Sequence, residues 1–113
     1  MARRGDVLRL KRRLGFGAKG EAESVVIAQA EPLNRVLASV VVVPLDPAVD
    51  LFNGHPAVVS VSAAEAGASV DQVAVTTQLR VIRVDHLAPG VVGRLQPETL
   101  AALDRALRLV LGL

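Results

Sequence analysis

The side chains best suited to chemistry on an anion cluster early in this 113-residue sequence. Arg12, Arg13 and Lys19 lie in a charged segment, residues 11–23, that Gly15, Gly17 and Gly20 punctuate. Glycines break regular structure, so the segment reads as a loop that can bring a cation to a phosphate. Arg12, Arg13 or Lys19 could supply the catalytic cation, with Arg12 taken first. Asp46, at the end of an apolar run, is the candidate base, although Pro47 after it also suits an Asx turn. Alternation places Gln78 and Arg80 on one strand face with Thr76. Arginine pairs with phosphate and glutamine reads base edges, while an ordinary exposed strand face carries the same residues. His55 and His86 have the right chemistry for a general acid, but a histidine between Gly54 and Pro56 also fits a plain loop.

Composition removes several alternatives. Cysteine is absent, so a disulfide framework, a thiolate zinc site and a cysteine nucleophile are all excluded. Two histidines far apart in sequence argue against a zinc site. Aromatic residues make up 2%, namely Phe16 and Phe52, so no aromatic platform exists for stacking bases. Gly15, Gly17 and Gly20 match a dinucleotide-binding spacing, but they precede a strand instead of opening a helix, and no βαβ pattern surrounds them. Charge is uneven: residues 1–20 carry a balance of +6, residues 21–79 of −6 and residues 80–113 of +2. A basic first segment suits an anionic partner, and also a solvated terminus. The longest apolar run, residues 36–45, is about half the roughly 20 residues of a membrane span, and Arg3 and Arg4 lead into no signal-peptide core. A soluble, cytoplasmic protein is expected.

The elements that must hold these residues are mostly strands. Residues 4–10 alternate Val7 and Arg9 against Leu8 and Leu10. Residues 24–29 form a β-branched buried strand, and residues 31–34 a turn or one helical turn. Residues 36–45 are the strongest strand, apolar on both faces, with Pro44 marking an edge or a bulge. Residues 56–62 form another strand and residues 63–70 a linker of small residues. Residues 72–84 read as a long strand or a bent pair, with Val73, Val75, Thr77, Leu79 and Val81 on the core side. The C-terminus is a helix: Pro97 suits its first position and Glu98 its positive end. Leu100, Leu103, Leu107, Val110 and Leu111 make its apolar stripe, and Asp104 and Arg108 an i,i+4 pair. The expectation is a mainly β (α+β) single domain over residues 1–113, a small SH3-like partial barrel of five to seven strands with a C-terminal helix.

Several strings, in this order, resemble the MazF/PemK family of toxins. Arg4-Gly5-Asp6-Val7 is similar to its first strand, and Val25-Val26-Ile27 followed by Asn34-Arg35 to its second strand and turn. Val40 to Leu45 resembles its third strand, Gln78-Leu79-Arg80 its Gln-x-Arg string, and Val92-Gly93-Arg94-Leu95 with Pro97-Glu98 the lead-in to its last helix. The resemblance implies a cytoplasmic homodimer that cuts single-stranded RNA at short sequences. It further implies no metal or other cofactor, a 2′,3′-cyclic phosphate product and inhibition by a cognate antitoxin. From the residues themselves, Arg12 and Asp46 are the candidates for catalysis, and Arg13, Lys19, Gln29, Arg35, Gln78 and Arg80 for RNA binding. The sequence departs from the family at three places: Ala18 falls near the Glu of the family's Gly-x-Glu, Glu23-Ser24 stands where the family has Arg-Pro, and Asp46 where it has Thr. A non-catalytic relative on the same fold, either a gyrase-poison-like module or a binder of RNA or antitoxin, is the alternative.

Overall fold

The computed structural model describes residues 2–12, 15, 22–34, 36–52 and 54–113. Its spine is β3 (Ser39–Asp46), which pairs antiparallel with β2 (Ser24–Ile27) along one side. On the other side it pairs with two strands in succession. Ser39 to Val42 face β6 (Arg80–Arg83), and Leu45 and Asp46 face β5 (Gln72–Val75). Pro44 therefore lies in a central strand and not at an edge. It sits where the partner on that side changes, a place that tolerates a residue with no N–H. The main path of the sheet is β4 (Val58–Val61), β5, β3, β2, β1 (Asp6–Arg9) and β7 (Gly93–Arg94), with every pairing antiparallel.

Alternation along these strands feeds two cores. Val7, Val26, Val43, Leu45, Val59, Val61 and Ala74 point to the face covered by α3 (Pro97–Leu111), where they meet Leu103, Ala106 and Leu107. Leu8, Leu10, Val25, Ile27, Val40, Val42 and Ile82 point to the other face and pack with Ala22 and Leu87. Burial on both faces explains the near-continuous apolar character of β3. The result is a mostly β half-barrel with a C-terminal helix, as expected.

Local corrections have identifiable causes. The strand expected over residues 72–84 is the bent pair: a 3-10 turn over Thr76–Gln78 separates β5 from β6. The turn breaks the alternation, so Thr76 and Ile82 are buried while Val81, placed on the core side by alternation, is 59% exposed. Thr76 instead donates its hydroxyl to the Ala57 carbonyl at 2.5 Å. Residues 63–70 include a helical turn, α2 (Ala63–Ala66), opened by a reciprocal capping box between Ser62 and Glu65. In α3, Leu103 and Leu107 are buried but Leu111 is 53% exposed. Asp104 forms its ion pair with Arg4, 100 positions away in sequence, and not with Arg108.

Close backbone approach locks α2 onto the strand that leads to α3. A Cβ at Gly93 would stand 2.0 Å from the Glu65 carbonyl oxygen, and one at Gly67 1.9 Å from that of Val92. Gly67 also closes α2 in the left-handed region, at φ 62°. No described helix is long and apolar enough to cross a membrane.

Candidate nucleic-acid interface

Strand register brings the end of β1, the start of β2, the end of β3 and the start of β5 to one end of the sheet. Arg9 lies opposite Ser24, Ser24 opposite Leu45, and Asp46 opposite Val73. The first long loop leaves from this end. Its base is pinned by the Leu10 N–H donating to the Glu23 carbonyl and the Lys11 N–H to the His86 carbonyl, each at 2.9 Å. Leu10 also bridges to Leu87. A fixed base holds the backbone from which Lys11 and Arg12, both exposed, project.

Two small clefts flank this base. One, of about 230 Å³, is walled by Arg9, Glu23, Ser24, Pro47, Val70 and Gln72 among others. The second, of about 210 Å³, is walled by Arg9, Leu10, Lys11, Arg12 and Glu23. Arg9 and Glu23 belong to both. The second cleft thus gathers three cations around one carboxylate, an arrangement able to hold a phosphate and also to accept a proton beside it.

The residues proposed from sequence fall in different places. Arg12 is at the second cleft. Asp46 closes β3 at only 4% exposure, and its Oδ1 accepts the Ala48 N–H at 2.8 Å, which is the geometry of an Asx turn. Gln29 is 8% exposed and its amide donates to the Ser39 carbonyl at 3.4 Å, linking the exit of β2 to the entry of β3. Gln78 is half-buried in the 3-10 turn. Arg80 is exposed on β6 opposite Val42, four residues back along β3 from Asp46. Thr76 is fully buried, so these three do not form one exposed face. Arg13, Lys19 and Arg35 lie outside the described residues.

Other charges serve the fold. Arg4 pairs with Asp104 and donates from Nε to the Ala28 carbonyl at 3.0 Å. Arg94 donates to the buried carboxylate of Asp6 at 2.7 Å, and Asp6 also accepts the Arg3 N–H at 2.8 Å. His55 accepts the Ala57 N–H through Nδ1, a loop role. Near the loop base, the hydrogen bonds from the Arg83 guanidinium hold the exposed Asp85 carboxyl below its ordinary range, with smaller help from the charges of His86 and Lys11.

Arg9, Glu23 and Gln72 are the interface residues that sequence reasoning passed over. Arg9 reads as half of a strand alternation, and Glu23 as the flank of a loop. The register of β1 on β2 sets Arg9 and Glu23 in shared walls, and the pairing of β5 with β3 brings Gln72 to one of them.

Fold and interface define a class: an open antiparallel half-barrel covered by one C-terminal helix, with a cation-lined end to its sheet. The chain belongs to the PemK-like, MazF-like toxin family of type II toxin–antitoxin systems, whose sequence profile matches residues 3–111. Among solved structures, it is similar to an endoribonuclease in complex with its cognate antitoxin from a mycobacterial species. That likeness is 25% in identity, with a TM-score of 0.78 over 100% of this chain and 97% of that one. The Mycobacterium tuberculosis toxin MazF-mt6 is 22% identical, with a TM-score of 0.77 over 96% of this chain and 97% of that chain. MazF from Deinococcus radiodurans shares the fold at 17% identity and a TM-score of 0.78, over 99% of this chain and 97% of that chain. Among curated proteins, none matches the sequence.

Proposed function

We propose that this chain is a sequence-selective, metal-independent endoribonuclease toxin that cuts single-stranded RNA and is held inactive by a cognate antitoxin. The observation that carries this reading is the second cleft, where Arg9, Lys11 and Arg12 surround Glu23 at the base of the first loop. A base removes the 2′-OH proton, and the 2′-oxygen attacks the adjacent phosphorus. The P–O5′ bond breaks, giving a 2′,3′-cyclic phosphate and, after protonation, a 5′-OH end. Arg12 stabilises the charge that builds on the phosphoryl oxygens, assisted by Arg13 and Lys19 from the same loop. Of the two carboxylates, Glu23 is exposed at the cleft, whereas Asp46 is buried with one oxygen given to Ala48. On exposure alone Glu23 is the better placed base, and Asp46 shapes the turn beside it. Gln29, Arg35, Gln78 and Arg80 are the remaining candidates for RNA contact, with Arg80 the exposed one on β6.

The toxin is further proposed to act as a homodimer. Val81 at 59%, Val84 at 43%, Leu111 at 53% and Leu113 at 87% exposure are the apolar side chains that a second copy would cover. The relatives that support antitoxin control are complexes: the mycobacterial endoribonuclease with its cognate antitoxin and MazE-MazF of Deinococcus radiodurans. A second reading, a non-catalytic binder of RNA or antitoxin, is favoured by the burial of Asp46 and by Glu23-Ser24 at the family's Arg-Pro position.

The test is incubation of purified protein with a long single-stranded RNA in EDTA, with sequencing of the new ends. Cuts at one short sequence, lost in Arg12→Ala plus Arg13→Ala, are expected. Intact RNA rejects the enzyme, and salt-dependent binding without cutting selects the second reading.

A further inference from the structure

The two clefts share a wall, and that wall carries Arg9, which the steps above give no role of its own. Arg9 is the last residue of β1 and is exposed. It stands in register with Ser24, whose own partner is Leu45, so its Cβ leaves the same face of the sheet as theirs. Its backbone is set by antiparallel pairing and not by the loop, so its guanidinium starts from a fixed point. Among the described residues no ion pair engages it, unlike Arg4, Arg83 and Arg94.

On one side of Arg9 lie Lys11 and Arg12, and on the other a cleft of different chemistry. Pro47 and Val70 give that cleft apolar walls. Ser24, Ser69 and the half-buried Gln72 give it short hydrogen-bonding groups. At about 230 Å³ it falls below the roughly 300–1,000 Å³ of a drug-sized ligand pocket. Aliphatic walls against a ring face, with an amide directed at its edge, can seat a base where no aromatic side chain is present to stack on it. Glutamine is the side chain whose amide pairs bidentately with adenine.

Resting on the reading of RNA as substrate, we infer that Arg9 is a phosphate-binding residue at the boundary between the two clefts. The cleft of Ser24, Ser69 and Gln72 seats the base of the adjoining nucleotide, with Gln72 selecting it. Arg9 thereby sets the register of the strand relative to Arg12, and Gln72 supplies part of the sequence selectivity.

Binding decides this independently of cutting. The probe is a random-sequence single-stranded oligoribonucleotide with 2′-O-methyl groups, which removes the attacking hydroxyl. Wild-type, Arg9→Ala, Arg9→Lys and Gln72→Ala proteins are compared over a salt series, and the bound pool is sequenced. Arg9→Ala should weaken binding evenly across sequences and reduce the log–log salt slope by about 0.7, the value of one phosphate contact on a single strand. Arg9→Lys should keep that slope. Gln72→Ala should keep the slope but relax the preference at one base position by about tenfold. Wild-type affinity and slope in Arg9→Ala overturn the phosphate assignment while leaving the RNA reading intact. An unchanged base preference in Gln72→Ala overturns the base seat. A wild-type protein with no salt-dependent RNA binding overturns the RNA reading, and this inference with it.

Discussion

Glu65 reaches from α2 to the start of α3, where its Oε2 accepts the Gln96 N–H at 2.8 Å. Gln96 is the N-cap of α3 and makes no side-chain cap of its own. The carboxylate that closes the capping box of α2 thus also caps the long helix, at the positive end of its dipole. Replacing Glu65 with alanine leaves N–H groups of two helix starts without a partner. We expect a loss of about 1–3 kcal/mol, read by urea unfolding. Glu65→Gln should lose less, since one amide oxygen remains.

The same contacts predict an acid dependence. Burial raises the Glu65 pKa, but hydrogen bonds from Thr99, Gln96 and Ser62 together outweigh it and hold the group below its ordinary 4.5. A carboxyl with a depressed folded pKa contributes stability that is complete above 4.5 and fades as pH falls through the folded value. Thermal melts from neutrality downward should therefore show a Glu65-dependent drop only in the acid range. Glu65→Gln should flatten that part of the profile. Parallel profiles for both proteins count against it.

Gly93 is the tightest substitution to make on the lead-in to α3. A methyl group there meets the Glu65 carbonyl oxygen at 2.0 Å, a backbone atom that cannot swing away. Gly93→Ala should cost about 3 kcal/mol or more, seen as a large fall in the unfolding midpoint or as insoluble protein. A midpoint like the wild type's means that α2 and β7 separate freely.

The two carboxylates at the end of the sheet should separate in kinetics. Glu23→Gln should lower the single-turnover cleavage rate by about 10²- to 10⁴-fold with unfolding unchanged. Asp46→Asn keeps an oxygen for the Ala48 N–H and should leave the rate within a few-fold. Asp46→Ala should mainly cost about 1 kcal/mol of stability through the lost turn bond. The reverse ranking in rate moves the base to Asp46.

Val81, on edge strand β6, and Leu111, near the end of α3, are the apolar side chains to test for self-association. Sedimentation at micromolar concentration should show a dimer for the wild type, and Val81→Asp or Leu111→Asp should shift it to monomer with the fold intact. A monomeric wild type removes the dimer.

Much of the scaffold was legible in local pattern. Alternation in β1 and β3, the β-branched run of β2 and the three-and-four spacing of Leu103 and Leu107 specify secondary structure through short-range sterics and burial. The charge contrast between residues 1–20 and 21–79 is likewise a property of composition. The capping box of Ser62 and Glu65 was equally local, but it was hidden inside what read as a linker of small residues.

Which side chains meet is another matter, because long-range register has no local signature. A single 3-10 turn at Thr76–Gln78 separates β5 from β6, and the alternation read through it fails: Thr76 and Ile82 are buried while Val81 faces outward. Asp104 carries an i+4 partner in sequence yet pairs with Arg4, because folding sets α3 against the start of the chain. The interface follows the same rule. Arg12 was visible as a cation in a loop, but Arg9, Glu23 and Gln72 become neighbours only when β1 pairs with β2 and β5 with β3. Sequence determined which charges and strands this protein has; antiparallel register, set by burial on both faces of β3, decided which of them share a cleft.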